Sequence, residues 1–153
     1  MMERISSRST FFGKRVFPFI WFGLLSLFII APLRAKGARG SVPPAIFIGP
    51  AVLAAFGYFL MKKTVFDLAD EVYDAGDSLI VRFGNEEERI PLSEIINLSY
   101  SYLSNPSRAT LTLRTPGRFG KEITFSPPQR FLPFGKNPII TNLIERIDAA
   151  RRA

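Results

Sequence analysis

Neither cysteine nor histidine occurs in this 153-residue chain. Without cysteine there is no disulfide framework and no thiol nucleophile. With both residues missing, the usual zinc, haem and iron–sulfur ligand sets are gone, and so is the commonest general base. No GxGxxG, Walker or GxSxG pattern occurs, so a phosphate cradle and a nucleophile elbow also lack their signatures. The remaining carboxylates give no constellation: Glu86, Glu87 and Glu88 form a charge run suited to a solvated turn, and Glu94 stands beside only Ser93. The chain reads as a non-enzyme with no catalytic residue, cofactor, metal or evident small-molecule substrate.

Acidic residues are scarce in one part only. Met1 to Lys63 holds nine basic residues against the single acid Glu3, whereas the rest of the chain holds eleven basic residues and twelve acids. The basic pI of about 10.1 therefore belongs to the first part, where positive charge flanks apolar segments. Such flanking charge has a topological meaning, and a nucleic-acid partner loses its main support.

Charge is missing altogether from two runs. Val16 to Leu33 is eighteen residues without a charge, and at ~1.5 Å rise per residue it reaches about 27 Å, close to the thickness of a bilayer's hydrocarbon core. Ala45 to Met61 is a second, seventeen-residue run. The link between them, Arg34 to Pro44, is too short for a domain and carries Lys36, Gly37, Arg39, Gly40 and Pro43-Pro44. A cleaved signal peptide would need small residues after the apolar stretch, where Pro32-Leu33-Arg34-Ala35-Lys36 stands instead. Two buried core helices would need far more polar chain around them. The pattern predicts a transmembrane hairpin, helices about 16–33 and 45–61, within an N-terminal part of residues 1–63.

Orientation follows from the basic flanks. Arg4, Arg8, Lys14 and Arg15 precede the first run and Lys62-Lys63 follow the second, against Arg34, Lys36 and Arg39 in the link. The excess places both termini in the cytoplasm, and Trp21 and Tyr58 then fall at the same interface. Gly23, Ser26, Gly49, Ala51, Ala54, Ala55 and Gly57 suit close helix packing, and Gly49-Pro50 predicts a kink in the second helix. Neither run holds an ionisable group of the kind that marks ion pathways, so plain anchoring is the expectation.

After Lys63 the pattern shortens to alternation. Leu79, Val81 and Phe83, then Leu98, Tyr100 and Tyr102, then Leu111 and Leu113, then Ile123 and Phe125 alternate with polar neighbours. Turn signals separate them: Asp74-Ala75-Gly76-Asp77, Gly84-Asn85, Asn105-Pro106-Ser107 and Pro116-Gly117. About six antiparallel strands are expected within residues 64–153. Asn137 as N-cap and Pro138 at the first position open a closing helix of about 138–152, with Ile139, Ile140, Leu143, Ile144 and Ile147 on one face. The fold class is α+β: a helical hairpin, then a small antiparallel β-barrel or sheet covered by a C-terminal helix.

The stretch Asp70 to Ala150, with D-E-V-Y-D-A-G-D-S-L-I-V-R-F-G, then R-I-P-L-S-E-I, then N-P-S-R-A-T-L-T-L-R and the final helix, resembles the bacterial pleckstrin-homology-like (PH-like) domains. The resemblance implies a domain borne on a pair of transmembrane helices in a bacterial cytoplasmic (inner) membrane, with a binding or assembly role. It does not imply phosphoinositide binding, because the first loop, Asp74 to Asp77, is acidic where phosphate recognition needs bases. The acids Asp67, Asp70, Glu71, Asp74 and Asp77 read as a solvated edge or as a surface for a basic partner.

Two loops interleave basic and aromatic side chains. One, residues 114–121, carries Arg114, Arg118, Phe119 and Lys121; the other, residues 130–136, carries Arg130, Phe131, Phe134 and Lys136. Such loops suit an anionic lipid surface, while packing on the domain's own core is the alternative for the aromatics. The expected function is a membrane-anchored interaction module that binds a protein partner or self-associates as a homo-oligomer. The second reading is a peripheral anionic-lipid sensor using these two loops.

Overall fold

The computed structural model describes residues 2–35, 41–104, 106–128 and 137–153. The chain divides into two compact units: Phe11–Asp67, and a second made of Met1–Thr10 together with Leu68–Ala153.

The first unit is the helical one. Helix α1 spans Ser9–Ala35 and helix α2 spans Pro44–Thr64. The α1 start lies seven residues before the apolar run, and just ahead of it Ser7 Oγ accepts the Ser9 N–H at 3.2 Å. Winding then continues through Lys14 and Arg15 in a π-helical segment, Phe12–Val16. In α2 a 3-10 turn, Pro44–Phe47, gives way to α winding at Ile48. That change lies beside Gly49-Pro50, where proline has no N–H to donate.

Within this unit Leu25, Gly57 and Met61 are buried. The Trp21 ring lies against Gly57, where an added methyl would come within 2.9 Å of the indole Cε2. Of the small residues expected to bring the helices together, Gly57 does so, whereas Gly23 and Gly49 face open space. The remaining faces are bare: Phe19, Leu27, Phe28, Val52, Phe56 and Phe59 are all exposed.

The second unit contains two antiparallel sheets. Strands β1 (Glu3–Arg4), β2 (Glu71–Asp74), β3 (Ser78–Phe83) and β4 (Glu86–Pro91) form one, in that order. Strands β5 (Ile95–Ser101), β6 (Arg108–Gly117) and β7 (Gly120–Phe125) form the other. A 3-10 turn, Leu92–Glu94, carries the chain from one sheet to the next. At the far side the sheets meet again: Leu68 bridges Thr124, the Ala69 N–H donates to the Thr124 carbonyl at 2.7 Å, and the Ser7 N–H donates to the Ser126 carbonyl.

The N-terminal strand is the main departure from the sequence reading. Residues 2–7, read as a flank of the hairpin, belong to the β unit: Glu3 pairs with Asp74, Arg4 with Tyr73, and the Ile5 N–H donates to the Val72 carbonyl. Ile5 is 2% exposed and joins the core. The division expected at residues 63–64 therefore differs from the one observed, and seven strands occur among the described residues. Both helices are an insertion into the β1–β2 connection.

Alternation places most of the core as expected elsewhere, the exception being Tyr102, which lies beyond the end of β5 and is exposed. Val72, Leu79, Val81, Leu98, Leu111, Leu113, Ile123 and Phe125 all point inward, as period-two patterning requires. A register shift at Ile95/Asn97 leaves Ile96 on the outside while Ile95 stays buried. The turn expected at Pro116-Gly117 instead lies two residues on. Gly117 pairs with Gly120 around Arg118-Phe119, and the backbone of Gly120 takes φ +94°, a conformation that favours glycine. Pro116 falls where the β6–β7 ladder is interrupted, which suits a residue with no N–H.

Helix α3, Pro138–Arg152, has the expected bounds, and Asn137 Oδ1 accepts the Ile139 N–H at 3.1 Å. Ile140, Leu143 and Ile147 are buried against the sheets, whereas Ile144 is 36% exposed at the margin of the apolar face.

A soluble form made by joining residues 2–10 to residues 68–153 through a short Gly-Ser linker is expected to fold. A form of residues 68–153 alone, without the Ile5 side chain and the β1 pairing, is expected to lose roughly 2–4 kcal/mol. Urea denaturation followed by circular dichroism checks this; equal stabilities would show that β1 contributes nothing.

Candidate functional site

The outer surface of the first sheet is built from charges that arrive from distant parts of the chain. Glu71 takes Arg4 Nη1 at 3.1 Å on one oxygen and Arg82 Nη1 at 3.0 Å on the other, which also accepts the Tyr73 hydroxyl. Arg82 reaches Glu87 at 2.7 Å across the β3–β4 pair. Register sets this up, since Arg82 lies opposite both Glu71 and Glu87 in the ladders.

The acidic turn after β2 is matched in the same way. Asp74 accepts the Gly76 N–H at 2.9 Å, which shapes the turn, and receives Arg146 of α3 through both guanidinium nitrogens. Arg146 also donates to the Gly76 carbonyl. The Arg146 hydrogen bond holds the Asp74 carboxyl below its ordinary range, against the opposing effect of burial. Asp77 is likewise lowered, by the Ser78 hydroxyl and then by Arg89. Asp70 accepts the Gly84 N–H at 2.6 Å. Of the acids read from the sequence as a solvated edge or as a surface for a basic partner, Asp70, Glu71, Asp74 and Asp77 are engaged within the domain.

Replacing Arg146 by Ala removes a partly buried two-point contact between α3 and the β2–β3 turn, with an expected cost of about 1–2 kcal/mol. Because the folded Asp74 is the stronger acid, its contribution is complete above the unfolded carboxylate pKa of about 3.9 and disappears as pH falls through the lower folded value. Urea titrations of the relinked domain at pH 7 and pH 3 are expected to show a smaller acid-dependent loss in the variant; identical losses would remove Asp74 as the source.

The first basic-aromatic loop forms the tip of the β6–β7 hairpin, where Arg114, Arg118 and Lys121 are exposed. Phe119 is half-buried. Its ring packs on Phe83 at 4.6 Å between centroids, and both rings border the core. Glu88 anchors the tip by accepting the Arg118 N–H at 3.0 Å. Arg130, Phe131, Phe134 and Lys136 of the second loop lie outside the described residues, as do Lys36, Gly37, Arg39 and Gly40 of the interhelical link. Among the described residues no group of three or more carboxylates could hold a metal ion.

The engaged bases that sequence reasoning missed are Arg4, Arg89 and Arg146. Arg4 sits in a strand too short to show alternation. Arg89 and Arg146 find their partners across a ladder and across the domain, pairings that no local pattern announces.

The sheet edges differ in how they are guarded. At one outer edge β1 has only two residues, and at the opposite edge β4 begins with Glu86-Glu87-Glu88 and ends in Pro91. The β5 edge has neither feature: no charged residue occurs between Glu94 and Arg108, and Tyr102 and Leu103 beyond its end are exposed.

Phe119→Ala is expected to cost the relinked domain about 1–3 kcal/mol through lost packing and to leave its affinity for anionic vesicles unchanged. Co-sedimentation beside a urea titration separates the two; reduced vesicle binding at full stability would assign Phe119 to a lipid-facing role.

Both helices are long and apolar enough to cross a membrane. No family, curated protein or solved structure matches this chain.

Proposed function

We propose that this chain is a membrane-anchored interaction and assembly module without catalytic activity, its β domain PH-like and held at the cytoplasmic face of a bacterial inner membrane. The observation that carries the reading is the bare apolar surface of α1 and α2, on which Phe19 is 80% exposed and Phe59 66%. Soluble monomers rarely show apolar patches beyond a few hundred Å², and helices apolar on nearly all sides are at home in hydrocarbon. The PH-like assignment is supported by the four-plus-three strand arrangement and the closing helix.

Insertion of the hairpin between β1 and β2 supports a two-crossing topology. Glu3 and Asp74 are partners in one sheet, a pairing that supports placing the two ends of the hairpin on the same side of the membrane. The greater number of Lys and Arg at those ends favours the cytoplasm. A second reading, a peripheral lipid sensor, is supported by the exposed Arg114, Arg118 and Lys121, while the half-buried Phe119 packing on Phe83 weighs against it.

The absence of cysteine makes the test direct. Single variants Glu3→Cys, Ser41→Cys and Ala153→Cys are treated with a membrane-impermeant maleimide in intact spheroplasts and again after lysis. Ser41→Cys is expected to react in intact cells and the other two only after lysis. The reverse pattern overturns the cytoplasmic assignment, and recovery of the chain in the detergent-free supernatant of lysed cells overturns anchoring itself.

A further inference from the structure

Strand β5 is bonded to β6 on one side only. On its other side, among the described residues, the contacts are few: the Ile95 N–H bonds to Leu92 of the preceding turn, and Arg151 of α3 donates to the Ile96 carbonyl at 2.9 Å. Both lie at the start of the strand. Apart from the ladder with β6, no backbone hydrogen bond among the described residues reaches residues 97–101, so their outward N–H and C=O groups form an open row.

Open rows of this kind invite strand addition, and proteins usually guard them with charge, proline or short length. Of the other three outer edges, β1 is short, β4 carries Glu86, Glu87, Glu88 and Pro91, and β7 carries Lys121 and Glu122 and is bridged at Thr124 by Leu68. The contrast within one domain singles out β5. Its outward side chains Asn97 and Ser99 are exposed and uncharged, and Tyr102 and Leu103 add apolar surface at the end, Leu103 being 82% exposed.

We propose that this edge docks a second copy of the same chain, the two β5 strands pairing antiparallel about a two-fold axis. The charge distribution selects that occupant. An edge without charge can meet its own image with no like-charge repulsion, and it offers nothing complementary to a charged peptide. Pairing with β4 of another copy would set three carboxylates beside an uncharged strand, and that head-to-tail contact would leave open edges at both ends. The β5–β5 contact closes on itself and leaves only guarded edges outside. The inference rests on the anchored-module reading in one respect, that confinement in a bilayer raises the local concentration at which copies meet.

The test uses the full chain purified in detergent micelles, with mass measured by sedimentation equilibrium under density matching. The wild-type chain is expected to be a dimer. Asn97→Glu with Ser99→Glu, and separately Asn97→Lys with Ser99→Lys, place charges opposite Thr112 and Thr110 of β6, which are neutral. Each double variant is expected to weaken self-association by about tenfold or more. An equimolar mixture of the two is expected to regain the dimer, a rescue that misfolded chains would not give. A wild-type chain that stays monomeric at ~100 µM, a Glu variant that dimerises like the wild type, or a mixture that stays monomeric would each overturn the proposal. Those outcomes in a chain that still needs detergent for extraction leave anchoring intact, whereas failure of anchoring shows in the supernatant of lysed cells.

Discussion

The pairing of Glu3 and Arg4 with Asp74 and Tyr73 ties together two pieces of chain separated by both apolar helices. Closing so long a loop is not prohibitive, because the entropic cost grows only with the logarithm of its length. The return is concentrated in a few groups: Ile5 enters the core, Ser6 Oγ accepts the Val72 N–H at 3.0 Å, and Arg4 reaches Glu71. Without β1 the outer side of β2 would be an unguarded edge beside the first turn of the domain. The domain's completeness and the placement of the helices are therefore one constraint.

Electrostatics within the β unit follow from the same economy of elements. Almost every acid near β2 has a base held opposite it by ladder register or by the closing helix, and the partners come from β1, β3, β4 and α3. Exposed pairs of this kind contribute little singly. The Arg146–Asp74 contact is the exception in geometry, since both guanidinium nitrogens meet both carboxylate oxygens and the helix is drawn onto a turn. The charges around β2 are thus met largely within the domain, whereas Arg114, Arg118 and Lys121 at the β6–β7 tip are exposed.

Much of this was legible in the residues alone. The bounds of α3 follow from Asn137-Pro138 and the spacing of Ile140, Leu143 and Ile147, because caps and helical periodicity are local signals. The same holds for β3 and β7, where alternation is clean. What escaped was decided at a distance or by side chains that mimic other signals. Glu3-Arg4-Ile5 is too short to alternate and sits in a basic stretch that resembles a membrane flank. Pro116-Gly117 has the composition of a turn, yet the reversal occurs at Arg118-Phe119, where Glu88 of another hairpin holds the backbone. Phe119 reads as a loop aromatic until Phe83 is found beneath it. The uncharged character of β5 was visible throughout, but its meaning depends on which strands have neighbours.

The insertion of the helices between β1 and β2 also sets a timetable. At roughly 5–20 residues per second of synthesis, several seconds separate the emergence of Arg4 from that of its partner Tyr73. During that interval the first strand has nothing to pair with, while both apolar helices are already outside the ribosome. The β domain thus cannot complete itself until the helices have been dealt with. The finished sheet therefore requires Glu3 and Arg4 to meet Asp74 and Tyr73 in one compartment, whatever the helices have entered in the meantime.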